Sequence, residues 1–223
     1  MPSFSLATQI SLLQLLFQGA ALPPLKQLYI ALHNANPGEA GTQSTNETSY
    51  SNYARVAVPC SPGSWLVASG DPPQAQNLQS IIFPACGATG DTLSFWSAGV
   101  AASGSGQIVT SGPVGATAAY GFSADVMDNF FVPLLPAGYV VGQPVILYQF
   151  GPGMLLPGGF VEGQVYYIAS ISQQDVLLSA TPGGHNLGGS TAGTGLFLPV
   201  SPLIVVSGMS PTFPPNSLLT FSD

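Results

Sequence analysis

Short apolar runs that alternate with a period of two are the feature that most restricts how this chain can fold. Residues 27–33, QLYIALH, place Leu28, Ile30 and Leu32 on one side of a strand and the residues between them on the other. Similar runs, bounded by turns rich in glycine, proline, serine and asparagine, lie at 53–58, 64–68, 78–83, 93–100, 107–112, 203–208 and 217–221. Strands at this spacing are typical of antiparallel sandwiches and barrels. We therefore predict a mainly β protein with an antiparallel β-sandwich.

The N-terminal segment has a different period and predicts one helix over 3–18. Its apolar residues recur at spacings of four, three and four, which places one stripe on a helix: Leu6, Ile10, Leu13 and Phe17. Ser3 or Ser5 can cap the start of this helix, and Gly19 can end it.

A second apolar face on the same helix raises the question of what covers it. Leu12, Leu15 and Leu16 lie outside the first stripe, and a helix that is apolar on more than one face is usually buried on more than one side. We expect both faces to pack against the chain's own domain. The alternative is that one face contacts a neighbouring subunit, with Leu12 and Leu16 as the candidate interface residues.

The later part of the chain contains an internal repeat. Residues 135–148, LPAGYVVGQPVILY, align without a gap with residues 156–169, LPGGFVEGQVYYIA. Proline fixes φ for a turn and glycine supplies positive φ, so each copy reads as a turn followed by a strand. We interpret the repeat as two equivalent units of a small β module at 123–200. This module is inserted in a core domain formed by 1–122 and 201–223, which holds the helix and the sandwich.

Charged residues are too few for several classes of function. Only 5% of the residues are charged, the only basic ones are Lys26 and Arg55, and the formal net charge is −7. Nucleic-acid binding requires clustered basic residues, and anionic membrane surfaces also attract them, so we expect neither partner. We also expect no transmembrane span and no cleaved signal peptide. A surface this poor in charge fits a subunit covered by neighbours, or alternatively a secreted β protein with a polar, uncharged surface.

No group of residues predicts catalysis, a metal site or a cofactor. His33 and His185 are the only histidines, and neither has an identifiable nucleophile as a partner. Asp125 and Asp128 form a close carboxylate pair, but the surrounding loop lacks the alternating oxygen donors of a calcium loop. We therefore expect a protein that is not an enzyme and binds no cofactor.

The cysteines and the aromatic residues are expected to be structural. Cys60 and Cys86 are two cysteines only, and we favour two independent buried thiols over a disulfide bridge. Six aromatic residues could form a sugar-stacking surface, but aromatic residues of a β-sandwich more often belong to its core. These six are Tyr50, Tyr53, Trp65, Trp96, Tyr120 and Phe122.

Several motifs occur in the same order as in a known family. A short apolar helix ends in a small-residue turn, and it is followed by the LYIALH strand at 28–33, the loop NANPGEAG at 34–41 and the YAR strand at 53–55. Over about 1–122 and 201–223 the chain resembles a family of tailed-bacteriophage virion proteins. Residues 156–168 and 178–184 resemble a β module found in many phage structural proteins.

The resemblance implies a structural role in the virion. Members of the family are labelled as tail-fibre proteins in some phages and as capsid cement or decoration proteins in others. We favour a capsid cement protein that binds the major capsid protein and neighbouring copies of itself, because the chain has no coiled coil or repeats along an axis. The alternative is a tail-fibre or tail-tip protein that contacts the host surface. Either protein would be located in the virion and assembled in the bacterial cytoplasm.

Overall fold

The computed structural model describes residues 3–22, 24–69, 74–115, 120–125, 130–132, 139–149, 154–216 and 218–220. Within these residues the chain forms one α-helix and antiparallel strands, so the predicted fold class is confirmed as mainly β with one N-terminal helix. The elements in chain order are β1 (Ser3–Phe4), α1 (Leu6–Gln18), β2 (Gln27–His33), β3 (Val56–Pro59), β4 (Trp65–Ala68), β5 (Gln74–Asn77), β6 (Ile81–Ile82), β7 (Asp91–Leu93), β8 (Phe95–Gly99), β9 (Ile108–Pro113), β10 (Tyr120–Ala124), β11 (Phe130–Phe131), β12 (Pro144–Tyr148), β13 (Val165–Ser172), β14 (Asp175–Ser179), β15 (Gly193–Pro199), β16 (Leu203–Val205), β17 (Thr212–Phe213) and β18 (Leu218–Thr220).

The first of two compact units comprises residues 1–114 and 202–223. Its largest sheet has five antiparallel strands in the order β1-β9-β8-β2-β3, and three smaller antiparallel sheets pair β7 with β16, β6 with β17, and β5 with both β4 and β18. The C-terminal strands thus complete sheets that the N-terminal segment begins. The core of this unit combines apolar residues of the five-stranded sheet with those of the smaller sheets: Ile30, Leu32, Val58, Ile81, Leu93, Trp96, Ala98 and Val205.

The second unit comprises residues 115–201 and contains a closed barrel. Six antiparallel strands follow one another around it in the order β10-β11-β14-β13-β12-β15. Its interior is filled by apolar side chains, among them Phe122, Phe130, Val145, Leu147, Ile168, Leu178 and Phe197. The strand β10 crosses the predicted module boundary at 122/123, and it belongs to the barrel because it pairs along its whole length with β15.

The two ends of the barrel unit lie beside each other. Gly115 has a φ of 62°, and a Cβ atom at this position would lie 2.7 Å from the carbonyl oxygen of Ser201. Chain entry and exit are therefore adjacent, as in an insertion that leaves its host strands in place.

The internal repeat forms an approximate local two-fold axis in the barrel. The strands β12 and β13 pair antiparallel, with Pro144 opposite Tyr167, Val145 opposite Tyr166 and Ile146 opposite Val165. Val145 and Tyr166 occupy the same position of the two repeat copies, 21 residues apart. The two copies therefore pair with each other around this position. The start of the first copy, at 135–138, lies outside the described residues.

Each repeat copy enters its strand through the same turn. The amide of Gln143 donates to the Val140 carbonyl at 3.1 Å, and the amide of Gln164 donates to the Val161 carbonyl at 3.3 Å. The glycine before each glutamine has a positive φ, 89° at Gly142 and 70° in the second copy. This glycine is the third residue of a type II turn, a position that requires positive φ. The repeated Gly-Gln pair is thus explained by turn geometry.

Candidate functional site

The start of α1 is attached firmly to the first unit. Before the helix, β1 pairs with β9, and the Ser5 amide donates to the Val109 carbonyl at 3.1 Å. Ser5 is the N-cap, because its hydroxyl oxygen accepts from the Thr8 amide at 3.3 Å. The Ser5 hydroxyl in turn donates to the Ile108 carbonyl. The predicted cap at Ser5 is confirmed, and the same side chain holds the helix onto β9.

A loop of the first unit supports the same end of the helix. The Leu6 amide donates to the carbonyl of Glu39 at 3.0 Å, in the NPGEAG loop. This loop turns through Gly38, whose φ is 76°, and through Gly41, where any Cβ would overlap the Pro37 carbonyl oxygen. The glycines of the loop therefore fix the carbonyl that accepts from the first turn of α1.

Beyond its first turns α1 is covered by very little of the chain. No residue of the helix is buried, and every described residue from Leu13 to Lys26 is exposed. Gly19 ends the helix in the left-handed conformation, with φ 66°, which confirms the predicted C-cap. The helix and the residues after it contribute eight of the nineteen large hydrophobic side chains that are exposed in the described residues. Large exposed apolar patches are typical of interaction sites.

The apolar stripe of α1 points away from its own unit. Thr8, Ser11 and Leu12 are half-buried, and the Thr8 hydroxyl donates to the Ile108 carbonyl at 3.4 Å. At 3.6 residues per turn, the stripe is centred roughly 180° around the helix from these three residues. All four members of the stripe are exposed, with exposed fractions that rise towards the C-terminus: Leu6 45%, Ile10 46%, Leu13 55% and Phe17 81%.

The expectation that both helix faces pack internally is therefore wrong. Of the two candidate interface residues, Leu12 is half-buried on the side that faces the first unit, whereas Leu16 is 73% exposed. Leu16 borders the outward stripe. The sequence predicts the stripe correctly but not its surroundings, because periodicity shows that residues share a face without showing what the face meets. The polar residues Ser5, Thr8 and Ser11 opposite the stripe were the signal that could have corrected the assignment.

The two histidines lie in different surroundings. His33 is fully buried, with Nδ1 2.9 Å from the Thr45 carbonyl oxygen and Nε2 2.8 Å from the Ser97 hydroxyl. Since a carbonyl only accepts, Nδ1 carries the proton and Nε2 accepts from Ser97. Burial lowers the pKa of His33, so the ring is neutral near pH 7. His185 is exposed in the barrel unit.

The one arginine is enclosed in a structural ion pair. Arg55 donates through Nε and Nη2 to the two carboxylate oxygens of Glu47, at 2.6 and 2.7 Å, and through Nη1 to the Ala101 carbonyl at 2.9 Å. The Tyr53 hydroxyl also donates to Glu47, and burial is the main cause that raises the pKa of Tyr53. Lys26 is thus the one Lys or Arg side chain left exposed.

The other residues considered from the sequence form no site in the described part of the chain. Cys60 and Cys86 are free thiols, but the prediction that both are buried is wrong for Cys60, which is exposed. Asp128 lies outside the described residues. Within the described residues, no group of three or more His, Cys, Asp or Glu side chains could hold a metal ion. No helix among them is long and apolar enough to cross a membrane.

The aromatic residues belong to the two cores. Tyr50 and Trp96 are buried in the core of the first unit, and Tyr53 and Trp65 pack against it. Phe122 is buried in the barrel, and Tyr120 packs against its interior. The core interpretation is therefore confirmed over a sugar-stacking surface, because these side chains are divided between two units and turned inward.

Comparison with known proteins identifies the family. No curated protein matches the chain. A family model described as "Podophage GP4 fiber I protein gp80" matches residues 3–127, which include α1, the five-stranded sheet and the first barrel strand. The match covers more than half of the 223 residues and contains the motifs that suggested a tailed-phage virion protein. The chain therefore belongs to this family of tailed-phage structural proteins.

Proposed function

We propose that this chain is a non-enzymatic fibre subunit of a tailed-phage virion and that it is built into the particle through α1. The observation that carries the proposal is the exposed apolar surface of α1, which is anchored at one end and uncovered elsewhere. An isolated helix of about 12–15 residues is marginal in water, so a helix of 13 residues without a buried side chain needs a partner to cover it. The family description favours a fibre over other virion parts.

A capsid cement protein is the second candidate. The described residues contain one short helix, and neither a long coiled coil nor a linear array of repeats, which fits a compact subunit on a shell better than an elongated shaft. In this alternative the exposed apolar surface would contact the major capsid protein. In the fibre proposal it would contact other copies or the protein to which the fibre is attached.

Copy number in purified particles separates the two candidates. A cement protein is present at a copy number comparable to that of the major capsid protein, whereas a fibre subunit is present in far fewer copies. We expect quantitative gel densitometry of purified virions to give the lower value. A band intensity similar to that of the major capsid protein would overturn the fibre proposal in favour of cement, and absence from the particle would overturn both.

The proposal also includes the absence of enzymatic activity, of a nucleic-acid partner and of an anionic membrane partner. The proposed absence of an enzymatic activity is supported by the buried, hydrogen-bonded state of His33 and by the exposed position of His185. The proposal that neither nucleic acid nor an anionic membrane is a partner is supported by the burial of Arg55 in its ion pair. A location in the virion follows from the family, and assembly in the bacterial cytoplasm is proposed with it.

The sandwich arrangement of the first unit is also proposed. It is supported by a core that draws on the five-stranded sheet through Ile30, Leu32 and Trp96 and on the smaller sheets through Leu93 and Val205. Two layers that enclose one core in this way are the defining feature of a sandwich.

A further inference from the structure

We infer that α1 associates with α1 of a second copy of this chain, through the outward stripe Leu6, Ile10, Leu13 and Phe17. The inference deepens the proposed function, on which it rests, by naming the partner of the exposed helix. It goes beyond attachment in general because it assigns the partner and the residues that form the contact.

The spacing of the stripe is that of a helix–helix seam. Intervals of four, three and four place its residues alternately at the two core positions of a heptad repeat, in the order d, a, d, a. A helix with the same spacing fits this stripe, because knobs on one helix can fill holes on the other.

The described part of the chain contains no second helix that could supply this partner. A second copy of α1 presents the same four residues, so the two surfaces are complementary by symmetry, as in an isologous contact. The orientation of α1 permits this contact, because the stripe lies opposite the residues that face its own unit: Thr8, Ser11 and Leu12.

Charge favours pairing of this segment in particular. The net charge of −7 makes two copies repel each other, but none of the thirteen residues of α1 is charged. The flanking positions of the seam are Ala7 and Gln14 on one side and Gln9 and Leu16 on the other. Like charges therefore do not oppose each other across the contact, and Leu16 adds apolar surface at its edge.

The size of the strip is sufficient for a modest contact. An exposed apolar strip of this kind is on the order of a few hundred Å², as large as the largest apolar patch of a typical monomer. Two strips together approach the roughly 1,000 Å² that a specific interface buries. We therefore expect association in the micromolar range that strengthens when copies are held close together on the particle.

Sedimentation equilibrium of the purified full chain tests the inference. We expect wild-type protein at about 10–100 μM to have a mass of at least twice the 22.8 kDa of one chain. The double variant Ile10→Gln/Leu13→Gln and the single variant Phe17→Ser, both on the stripe, should sediment as single chains. The matched control Leu22→Gln/Leu25→Gln changes two exposed leucines after the helix and should associate as wild type does. Circular dichroism should show the same β content in all variants, because none of these side chains is buried.

Two results would overturn the inference. One is a wild-type protein that remains a single chain over the whole concentration range, and the other is stripe variants that associate as strongly as the control. Virion incorporation of the same variants is measured separately. An oligomeric wild-type protein that is absent from virions would refute the proposed function and leave the inference intact. A single-chain protein that is present in virions would do the reverse.

Discussion

Arg55 and His33 illustrate, at the scale of single residues, how this chain uses its few charged and titratable groups inside the first unit. The Arg55 guanidinium joins Glu47 to the carbonyls of Ala101 and Gly104. His33 joins the carbonyl of Thr45 to the hydroxyl of Ser97 in the neighbouring strand β8. Both residues therefore contribute to stability through buried contacts, and both can be tested by unfolding.

The Glu47–Arg55 pair should be costly to break. In Glu47→Gln the guanidinium stays buried without a counter-charge, so we expect the first unit to lose about 3–5 kcal/mol of unfolding free energy. Urea unfolding followed by tryptophan fluorescence measures the loss, because Trp65 and Trp96 both report on this unit. Lys26→Gln serves as the control, since Lys26 is exposed, and should change stability by less than about 0.5 kcal/mol. A loss below about 1 kcal/mol in Glu47→Gln would mean that the pair behaves like a surface ion pair.

His33 should make the stability of the first unit depend on pH. Its pKa is lowered in the folded state by burial, so the unfolded chain binds more protons as the pH falls through about 6.5. The stabilising contribution is thus present above pH 6.5 and decreases below it, by at most about 1.4 kcal/mol per pH unit. Urea unfolding at pH 7.5, 6.5 and 5.5 measures this slope above the range in which most carboxylates titrate.

Variants of the two histidines show which one is responsible. We expect His33→Gln to abolish the slope between pH 7.5 and 5.5, although its stability is lower at every pH. His185→Gln should keep the slope, because His185 is exposed. A slope that persists in His33→Gln would assign the pH dependence to other groups.

At the scale of elements, the paired turns of the barrel show why the chain repeats itself. Gly142 and Gly163 occupy equivalent positions of the two copies, and each amide donates to a strand carbonyl of the other copy. The acceptors are Ile168 at 2.7 Å and Leu147 at 3.0 Å, which are themselves equivalent by the repeat. Each copy thus fixes the register of the other.

Replacing either turn glycine should weaken the barrel by a similar amount. Both have positive φ, and an alanine there costs about 1–2 kcal/mol. We expect Gly142→Ala and Gly163→Ala each to lower the exchange protection of the Val145 and Tyr166 amides, as measured by hydrogen exchange of the full chain. The control is Gly121→Ala in the strand β10, where an added Cβ meets nothing within 4 Å. Unequal effects of the two turn variants would argue against the local two-fold interpretation.

At the scale of the whole molecule, each unit encloses a core of its own. The barrel core is formed by residues between 115 and 201, and the other core by residues outside that range. The chain enters and leaves the barrel unit at adjacent points, Gly115 and Ser201. Closing a short flexible loop between these points costs little more than closing a longer one.

Removal of the barrel should therefore leave the first unit folded. We expect a chain in which 116–200 is replaced by a short Gly/Ser linker to be soluble and to unfold cooperatively on heating. It should also self-associate through α1 as the full chain does. An insoluble product, or one without a cooperative transition, would mean that the first unit depends on the barrel.

Attachment to the virion should resist salt. The proposed attachment surface on α1 contains no charged residue, and apolar contacts are only weakly screened. We expect the amount of protein on purified particles to change little between low salt and about 1 M salt, where the screening length is about 3 Å. Release of the protein by salt alone, measured on gels of washed particles, would refute an apolar attachment.

The local elements of this protein could be predicted from the residues that form them. The helix ends before Gly19 as predicted. It begins after Ser5, one of the two predicted caps, so residues 3–5 of the predicted helix lie before it. The strand β2 spans the predicted residues 27–33. These features depend on neighbours in the sequence, through capping, periodicity and turn glycines. Where the local signal was weak, prediction failed: β5, with the sequence QAQN, has no apolar alternation and owes its place to β4 and β18 on either side.

What each apolar face meets depends on contacts between segments that lie far apart in the chain. It closed the barrel by pairing β10 with β15, about 75 residues later in the chain, and it turned the stripe of α1 outward while its polar side bonded to β9. It also left Cys60 exposed and buried Cys86. The physical reason is that the hydrophobic effect is not directional and does not depend on how far apart two residues lie in the sequence. An apolar face of a strand or helix can pack against any apolar partner. Backbone pairing between distant segments determines which partner lies beside it.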